Sequence, residues 1–339
     1  MKKNDPLINC YSEKGITLYD YPEINGIKQY IQVRGADKSN PLLLFLHGGP
    51  GGSVAGLCHI LQPEWEKHFT VVNWDQRNAC KTYLANKSKA ALISESGSIS
   101  DYVTDIDAVI SYLHSVYTFD KIILVGFSWG TVIGSTYARM RPNNISCYVG
   151  IGQMINYREG LKYSCNWIKT LARDNPQDIA QIDNILAILP EMREMNKGLV
   201  KKLIQFSRLG GKYIAKNGRK LPMKEFRHTP FLTFREKWAM ANSDPKRFTG
   251  TFQTLMTFDF RNDMHFEVPV MFISGAEDYN CPAQLVEDCF NDISAVEKKQ
   301  VIMPRAAHSC FFDQPEAFLR DLIDFTAFCN IHPVRFPRH

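Results

Sequence analysis

A short apolar run that leads directly into a glycine-flanked serine constrains this chain more than any other feature. Residues 121–125 (KIILV) read as a buried strand, the next five residues are GFSWG, and a helix pattern of small residues follows. Glycines on both sides let the backbone turn sharply and hold a serine in a strained conformation above a sheet. We therefore predict that Ser128 is a nucleophile, with a serine in an ordinary turn as the alternative.

In a site of this architecture, the acid and then the base follow the serine along the chain. Both are expected in loops at the carboxyl ends of parallel strands. The apolar run 268–273 is followed by Asp278, and the next strand-like run, 299–303, is followed by His308. We predict Asp278 as the orienting acid and His308 as the general base. Glu277 is the competing acid, while Asp288 is expected on a helix, and a structural or solvated role is the alternative for His308.

An early glycine-rich segment, HGGPGG at 47–52, follows the apolar run 42–46. Glycines here let backbone N–H groups approach a substrate, so the amides of Gly49 and Trp129 are predicted to form an oxyanion hole. A phosphate-binding loop does not fit, because the segment lacks the Walker lysine and the Gly-x-Gly-x-x-Gly spacing. A plain glycine-rich turn remains the alternative, and His47 is expected to bond within the loop.

These motifs resemble the proline iminopeptidase branch of the α/β-hydrolase superfamily. The matching stretches are HGGPG at 47–51, VNWDQR at 72–77, GFSWG at 126–130, GAED at 275–278 and His308. The resemblance implies an α/β-hydrolase fold and a cofactor-free serine peptidase that removes an N-terminal residue, with proline as the leading one. It also implies Ser128, Asp278 and His308 as the catalytic triad. Where the family usually has Gly-x-Gly after Asp-Gln-Arg, this chain has Asn78, which can adopt a left-handed conformation.

The periodicity of apolar residues predicts the domain organisation. Alternating strands and helices imply a mostly parallel sheet, with an antiparallel edge strand at 27–33 and a helix bearing Val103, Ile106, Ile110 and Leu113. This alternation of strands and helices then stops over a stretch that is too long to be a loop without secondary structure. We predict one α/β core formed by 1–152 and 266–339, with a helical cap at 153–265. Three apolar faces at helical spacing support the cap: Leu161, Cys165, Ile168 and Leu171; Ile179, Ile182, Leu186 and Leu189; Met192, Met195, Leu199, Leu203 and Phe206.

Substrate specificity is expected to lie in this cap. Glu159, Glu225, Glu236 and Asp244 are candidates for binding a substrate ammonium group, with ordinary surface carboxylates as the alternative. Trp238 belongs to an aromatic-rich second half that would suit an apolar pocket or would simply pack the cap onto the core. Two arginines could instead bind an acidic substrate: Arg158 and Arg235.

Composition narrows the remaining possibilities. Nine cysteines without metal-like spacing favour reduced thiols and a cytoplasmic location, with Cys310 as a packing residue. The formal charge of +5 comes with no basic motif, so no nucleic-acid partner is expected. No apolar stretch is long enough to span a bilayer, so no membrane association is expected. No metal or cofactor is predicted, and the oligomeric state is left open.

The leading hypothesis is therefore acyl-enzyme chemistry on small peptides or amino-acid amides. An esterase or lactonase acting on small hydrophobic esters is the first alternative, because the same triad cleaves both kinds of bond. The second alternative is a receptor of this fold that binds a small molecule with negligible turnover.

Overall fold

The computed structural model describes residues 13–192, 196–220, 223–241 and 244–329, and an eight-stranded sheet forms its framework. The strands follow the chain as β1 (Ile16–Asp20), β2 (Glu23–Ile24), β3 (Ile27–Lys28), β4 (Tyr30–Gly35), β5 (Leu42–Leu46), β6 (Thr70–Asp75), β7 (Ile122–Phe127), β8 (Ile145–Ile151), β9 (Val270–Gly275) and β10 (Lys298–Met303). In space, the order is β1-β4-β6-β5-β7-β8-β9-β10.

The predicted mostly parallel sheet is confirmed. From β6 to β10 each neighbouring pair is parallel, whereas β4 pairs antiparallel with β6 and β1 pairs antiparallel with β4. The central strand β5 has the sequence LLLFL, and all five of its residues are buried. Continuous apolar strands of this kind are typical of parallel sheets that are covered by helices on both faces. The carboxyl ends of these strands therefore meet at one edge of the sheet.

The prediction of an antiparallel strand at 27–33 is confirmed for residues 30–33, which belong to β4, but the predicted position at the edge of the sheet is wrong. Residues Ile27–Lys28 form β3, which pairs only with β2 in a separate ribbon, and the chain continues into β4, the second strand of the main sheet. The ribbon turns at Asn25 and Gly26, which both have positive φ. The true edge is β1, whose residues are all half-buried. Its sequence, ITLYD, has too weak an alternation to mark it as a strand.

Helices cover both faces of the sheet. In chain order they are α1 (Cys58–Leu61), α2 (Cys80–Ala85), α3 (Ala90–Glu95), α4 (Ile99–Val116), α5 (Trp129–Met140), α6 (Tyr157–Leu171), α7 (Pro176–Leu186), α8 (Lys197–Tyr213), α9 (Met223–His228), α10 (Phe234–Ala241), α11 (Thr249–Thr257), α12 (Ala283–Phe290), α13 (Cys310–Asp313) and α14 (Pro315–Phe328). The predicted apolar face of α4 is buried, and a capping box between Ser98 and Asp101 starts that helix.

Helices α6 to α11, here called the helical insertion, lie between β8 and β9. Leu161, Cys165 and Ile168 of α6 are buried as predicted, but Leu171 is 47 % exposed at the end of that helix. The third predicted face begins later than expected, because the side chain of Asn196 accepts a hydrogen bond from the Leu199 amide and starts α8 there. Met195 lies outside the described residues. The division into a core and a cap at 153–265 remains a prediction.

No helix in the described ranges is both long enough and apolar enough to cross a membrane.

Candidate active site

Ser128 lies at the sharp turn between β7 and α5. Its φ of +53° and ψ of −117° place a non-glycine residue in a strained backbone conformation. A Cβ atom on Gly126 would lie 2.5 Å from the Gly130 carbonyl oxygen, and one on Gly130 would lie 2.0 Å from the Leu46 oxygen. Both positions therefore need glycine, because the turn is packed tightly against itself and against β5.

Hydrogen bonds from neighbouring segments fix this turn. The Ser128 amide donates to the Ile151 carbonyl at 3.0 Å, which ties the turn to the end of β8. The Thr131 hydroxyl donates to the Ser128 carbonyl at 2.6 Å and accepts from the Met154 amide at 2.9 Å. The serine is consequently held in its strained conformation by surrounding structure rather than by its own backbone preference.

Asp278 and His308 come together in loops that follow β9 and β10. His308 Nδ1 lies 2.8 Å from Asp278 Oδ2, and the side chain of Asp278 is fully buried. The other carboxylate oxygen, Oδ1, accepts hydrogen bonds from the amides of Asn280 and Cys281 at 2.8 and 2.9 Å. With Nδ1 donating to the carboxylate, Nε2 of His308 is the nitrogen that is left to accept a proton.

The competing acids have other partners. Glu277 accepts hydrogen bonds from the backbone and side-chain N–H groups of Asn217, which follows α8 in the helical insertion. Asp288 lies on α12, where it accepts a hydrogen bond from Gln284. The structure thus pairs His308 with Asp278 and with neither alternative.

The two predicted oxyanion donors border one cavity with Ser128 and His308. Trp129 is the first residue of α5, so its backbone N–H has no acceptor within the helix and lies at the positive end of the helix dipole. Gly49 has a φ of +119°, and a Cβ there would lie 2.6 Å from the Gly51 nitrogen. This close approach explains why the loop carries glycine at this position.

A buried hydrogen-bond network connects the glycine loop to the turn at Ser128. His47 Nε2 accepts from the Gln76 amide at 3.2 Å, while the Gln76 side chain donates to the His47 carbonyl and accepts from the Trp129 indole. Burial lowers the pKa of His47 to about 4, partly opposed by its bond with the Gly48 carbonyl. His47 is therefore neutral at pH 7 and makes its bonds within and beside the loop, as expected.

Two further contacts hold the loop that follows Asp75. Asn78 adopts the left-handed conformation anticipated from the sequence, with a φ of +55°, and its side chain donates to the Arg247 carbonyl at 2.7 Å. Arg77 forms a two-point ion pair with Asp105, at 2.5 and 2.8 Å. This segment is therefore anchored to both the helical insertion and α4.

The cavity at Ser128 has a volume of about 390 Å³ and is largely apolar. Its apolar walls include residues from α6, α8 and α11 of the helical insertion: Tyr157, Leu161, Leu203, Phe206 and Leu255. Neutral polar groups are supplied by Ser207, Asn280 and Ser309. Among the described residues that line it there is no Asp or Glu, so the space beside the Ser128 hydroxyl is bordered by apolar and neutral polar groups together with His308.

The predicted substrate-binding residues lie elsewhere, and none of the four lines this cavity. Glu159 pairs with Arg261 at 2.7 Å on a partly exposed surface, and Glu236 pairs with Lys81 at 2.9 Å. Glu225 lies exposed on α9, and Trp238 is 56 % exposed on α10. The structure does not bring these side chains together with Ser128.

Three further candidates have local roles. Asp244 accepts a hydrogen bond from the Lys246 amide at 3.0 Å. Arg158 donates to the Met192 carbonyl at 2.5 Å, and Arg235 lines a separate surface pocket together with Lys81.

Sequence reasoning missed Cys281. Its thiol is 3 % exposed, and burial, with the charge of Asp278, raises its pKa well above the usual range, while a hydrogen bond with Ser128 opposes this. The thiol is therefore protonated at neutral pH and is a poor nucleophile. Its position three residues after Asp278, the predicted acid, was the available signal. Burial also raises the pKa of Cys310, which packs in the core.

Asp278, Cys281 and His308 also place potential metal-ligand atoms within 4.8 Å of one another. Asp278 Oδ2 and His308 Nδ1 already bond to each other, so binding a metal through those atoms would break the pair.

Comparisons with known proteins agree with this architecture. Residues 41–187 match the family described as alpha/beta hydrolase fold. A probable aminopeptidase, YbaC of Bacillus subtilis, is 26 % identical over 324 residues, which cover 91 % of this chain and 96 % of that protein. A proline iminopeptidase of Neisseria meningitidis is 26 % identical over 126 residues, covering 37 % of this chain and 36 % of that protein.

Among solved structures, the proline iminopeptidase of Mycobacterium smegmatis aligns with a TM-score of 0.65 at 17 % identity. The alignment covers 93 % of this chain and 98 % of that structure. The chain thus has the α/β-hydrolase fold, and its resemblance to the proline iminopeptidase branch is confirmed as a similarity to proteins with those names.

Proposed function

We propose that this α/β hydrolase is a serine aminopeptidase that releases a small N-terminal residue from short peptides or amino-acid amides. Ser128 is the nucleophile, His308 is the general base, and Asp278 orients the imidazole. The amides of Gly49 and Trp129 bind the oxyanion. The observation that carries this proposal is the Asp278–His308 pair, 2.8 Å apart, because His308 lines the same cavity as a serine strained to a φ of +53°.

In the first step, His308 Nε2 takes the hydroxyl proton of Ser128 as its oxygen attacks the substrate carbonyl. The resulting oxyanion accepts hydrogen bonds from the Gly49 and Trp129 amides, which are already oriented by the loop and the helix. His308 then donates the proton to the departing amine, leaving an acyl-enzyme ester. A water molecule, deprotonated by His308, attacks this ester and regenerates the serine.

The protein environment supports each of these roles. The fully buried Asp278 carboxylate accepts from His308 Nδ1 and stabilises the imidazolium that forms after proton transfer. Two backbone amides hold its other oxygen, so the carboxylate cannot rotate freely away from the histidine. The high pKa of Cys281 leaves Ser128 without a competing thiolate nucleophile.

The helical insertion is proposed to serve as the cap over this site. It contributes Tyr157, Leu203 and Leu255 to the cavity, so it shapes the space that the acyl group occupies. The N-terminal amino group would be received there by neutral oxygen acceptors, such as the side chains of Ser207 and Asn280. A small apolar residue such as proline or alanine suits these surroundings.

A small hydrophobic ester is the second candidate substrate. The absence of a carboxylate among the described cavity-lining residues favours it, because an esterase needs no partner for an ammonium group. The two functions differ in how they treat a free amine, and substrates can therefore separate them.

The test compares prolyl and alanyl arylamides with their N-acetylated forms and with short-chain esters. An aminopeptidase should cleave the free amines with a kcat/KM at least about tenfold higher, because acetylation removes an amine that donates hydrogen bonds. Ser128→Ala should abolish every activity that belongs to this site. Equal rates on free and blocked amides, or cleavage of esters alone, would refute the aminopeptidase proposal.

The same substrates test the glutamates predicted from the sequence. Because Glu159 and Glu236 are paired with Arg261 and Lys81, Glu159→Gln and Glu236→Gln should leave the preference for free amines unchanged. Glu225 is exposed on α9 and does not line the cavity, so Glu225→Gln should leave the preference unchanged as well. Loss of the preference in any of the three variants would show that the carboxylate reaches the substrate.

A further inference from the structure

A second, apolar groove begins beside the cavity that holds Ser128. It has a volume of about 350 Å³ and lies between α8 and the turn Pro245–Phe248. Its lining includes Pro50, Leu203, Ile204, Ser207 and Phe248. We call this surface the α8 groove.

The α8 groove adjoins the cavity. Leu203 and Ser207 line both spaces, so the two lie on either side of α8. Pro50 lines the groove, while the preceding residue, Gly49, lines the cavity. The groove and the cavity therefore share borders along α8 and along the glycine loop.

The groove also leaves apolar surface uncovered. Ile204 is 63 % exposed, and Phe248, which lines the same groove, is only 7 % exposed. A single exposed isoleucine is ordinary, but one in an apolar groove that adjoins the candidate active site is a surface that a substrate can cover. Covering it would remove apolar area from water and favour binding.

We infer that the α8 groove is a leaving-group subsite that selects peptides with a large apolar residue immediately after the scissile bond. This inference rests on the proposed function. In an aminopeptidase the cavity holds the N-terminal residue, and nothing precedes that residue. The only part of the substrate long enough to continue beyond the cavity is the chain that follows the scissile bond, so that part occupies the groove.

Ile204 is the residue to change. Phe248 is unsuitable, because its ring lies against Gly51, where an added Cβ would be 2.4 Å from it, so replacing the ring would disturb the glycine loop. Ile204 is exposed on α8, and glutamine is a good helix former there. Val296 is 69 % exposed just before β10 and does not line the groove, so Val296→Gln is the matched control.

The experiment measures kcat/KM for three amidated dipeptides that share an N-terminal alanine and carry glycine, leucine or phenylalanine second. The wild type should prefer leucine and phenylalanine over glycine by about tenfold, the usual effect of burying one apolar side chain. Ile204→Gln should reduce this ratio to about threefold or less. Val296→Gln should keep the wild-type ratio.

Equal kcat/KM values for the three dipeptides in the wild type would overturn the inference, as would an unchanged ratio in Ile204→Gln. A second arm uses acetate esters of ethanol, butanol and hexanol. If only esters are cleaved, the aminopeptidase proposal fails, yet a preference for hexanol that falls in Ile204→Gln would still support a leaving-group subsite. A flat profile across the alcohols would refute the subsite for esters as well.

Discussion

Two buried groups with opposite pKa shifts should contribute to how the stability of this protein responds to acid. Burial raises the pKa of Asp75 to about 6, opposed by the hydrogen bond from the Lys81 amide. Burial lowers the pKa of His47 to about 4. The ordinary values in an unfolded chain are about 3.9 for Asp and about 6.5 for His. The substitution Asp75→Asn removes one of these two pKa shifts.

The direction of each effect on stability follows from the number of protons that the folded and unfolded states bind. Between about pH 6 and pH 4 the native state binds a proton at Asp75 that the unfolded state lacks, so acid stabilises the fold through this group. Between about pH 6.5 and pH 4 the unfolded state binds a proton at His47 that the native state excludes, so acid destabilises the fold through that group. Each pKa differs by about 2 between the folded and unfolded states. At about 1.36 kcal/mol per pKa unit, each group changes the free energy of unfolding by about 3 kcal/mol. The two contributions nearly cancel in the wild type.

Asp75→Asn should therefore lose about 3 kcal/mol more stability than the wild type as the pH falls from 7 to 4. The assay is chemical unfolding followed by intrinsic fluorescence at several pH values in that range, for both proteins. All other titrating groups are common to the two chains, so the difference between the curves isolates Asp75. Parallel curves would refute the reasoning, because they would mean that Asp75 titrates alike in the folded and unfolded states.

The remaining predictions concern the site. Ser128→Ala and His308→Ala should each lower kcat by about three to six orders of magnitude in steady-state assays, with unchanged circular dichroism. Asp278→Asn should lower kcat by about four orders of magnitude by favouring the wrong imidazole tautomer, whereas Glu277→Gln should retain activity; the reverse result would reassign the acid. Gly130→Ala should cost about 3 kcal/mol in unfolding experiments, because its Cβ would lie 2.0 Å from the Leu46 oxygen.

The sequence was sufficient to predict the features that depend on local pattern. The strand that precedes Ser128, the strands that precede Asp278 and His308, and the face of α4 follow from continuous apolar runs or from helical spacing. Because parallel strands end at one edge of a sheet, their order alone placed the acid and the base in neighbouring loops. The 2.8 Å contact of Asp278 with His308 agrees with that expectation.

Features that depend on tertiary contacts were not predictable. The edge strand β1 has little periodicity, and it is defined by its pairing with β4 rather than by its own composition. The predicted substrate-binding glutamates were chosen for their charge, but Glu159 and Glu236 are engaged by Arg261 and Lys81, which are distant in sequence. The cavity instead uses apolar residues of α6, α8 and α11, whose helical spacing resembles that of ordinary core residues.

The proposal that Ser128 is an activated nucleophile can be tested directly by covalent labelling. A fluorophosphonate probe reacts rapidly only with a serine that a neighbouring base activates. Intact-protein mass spectrometry should show one adduct per chain, peptide mapping should place it on Ser128, and His308→Ala should label far more slowly. Rapid labelling at another residue, or labelling of Ser128 at the same rate in His308→Ala, would contradict the proposed mechanism.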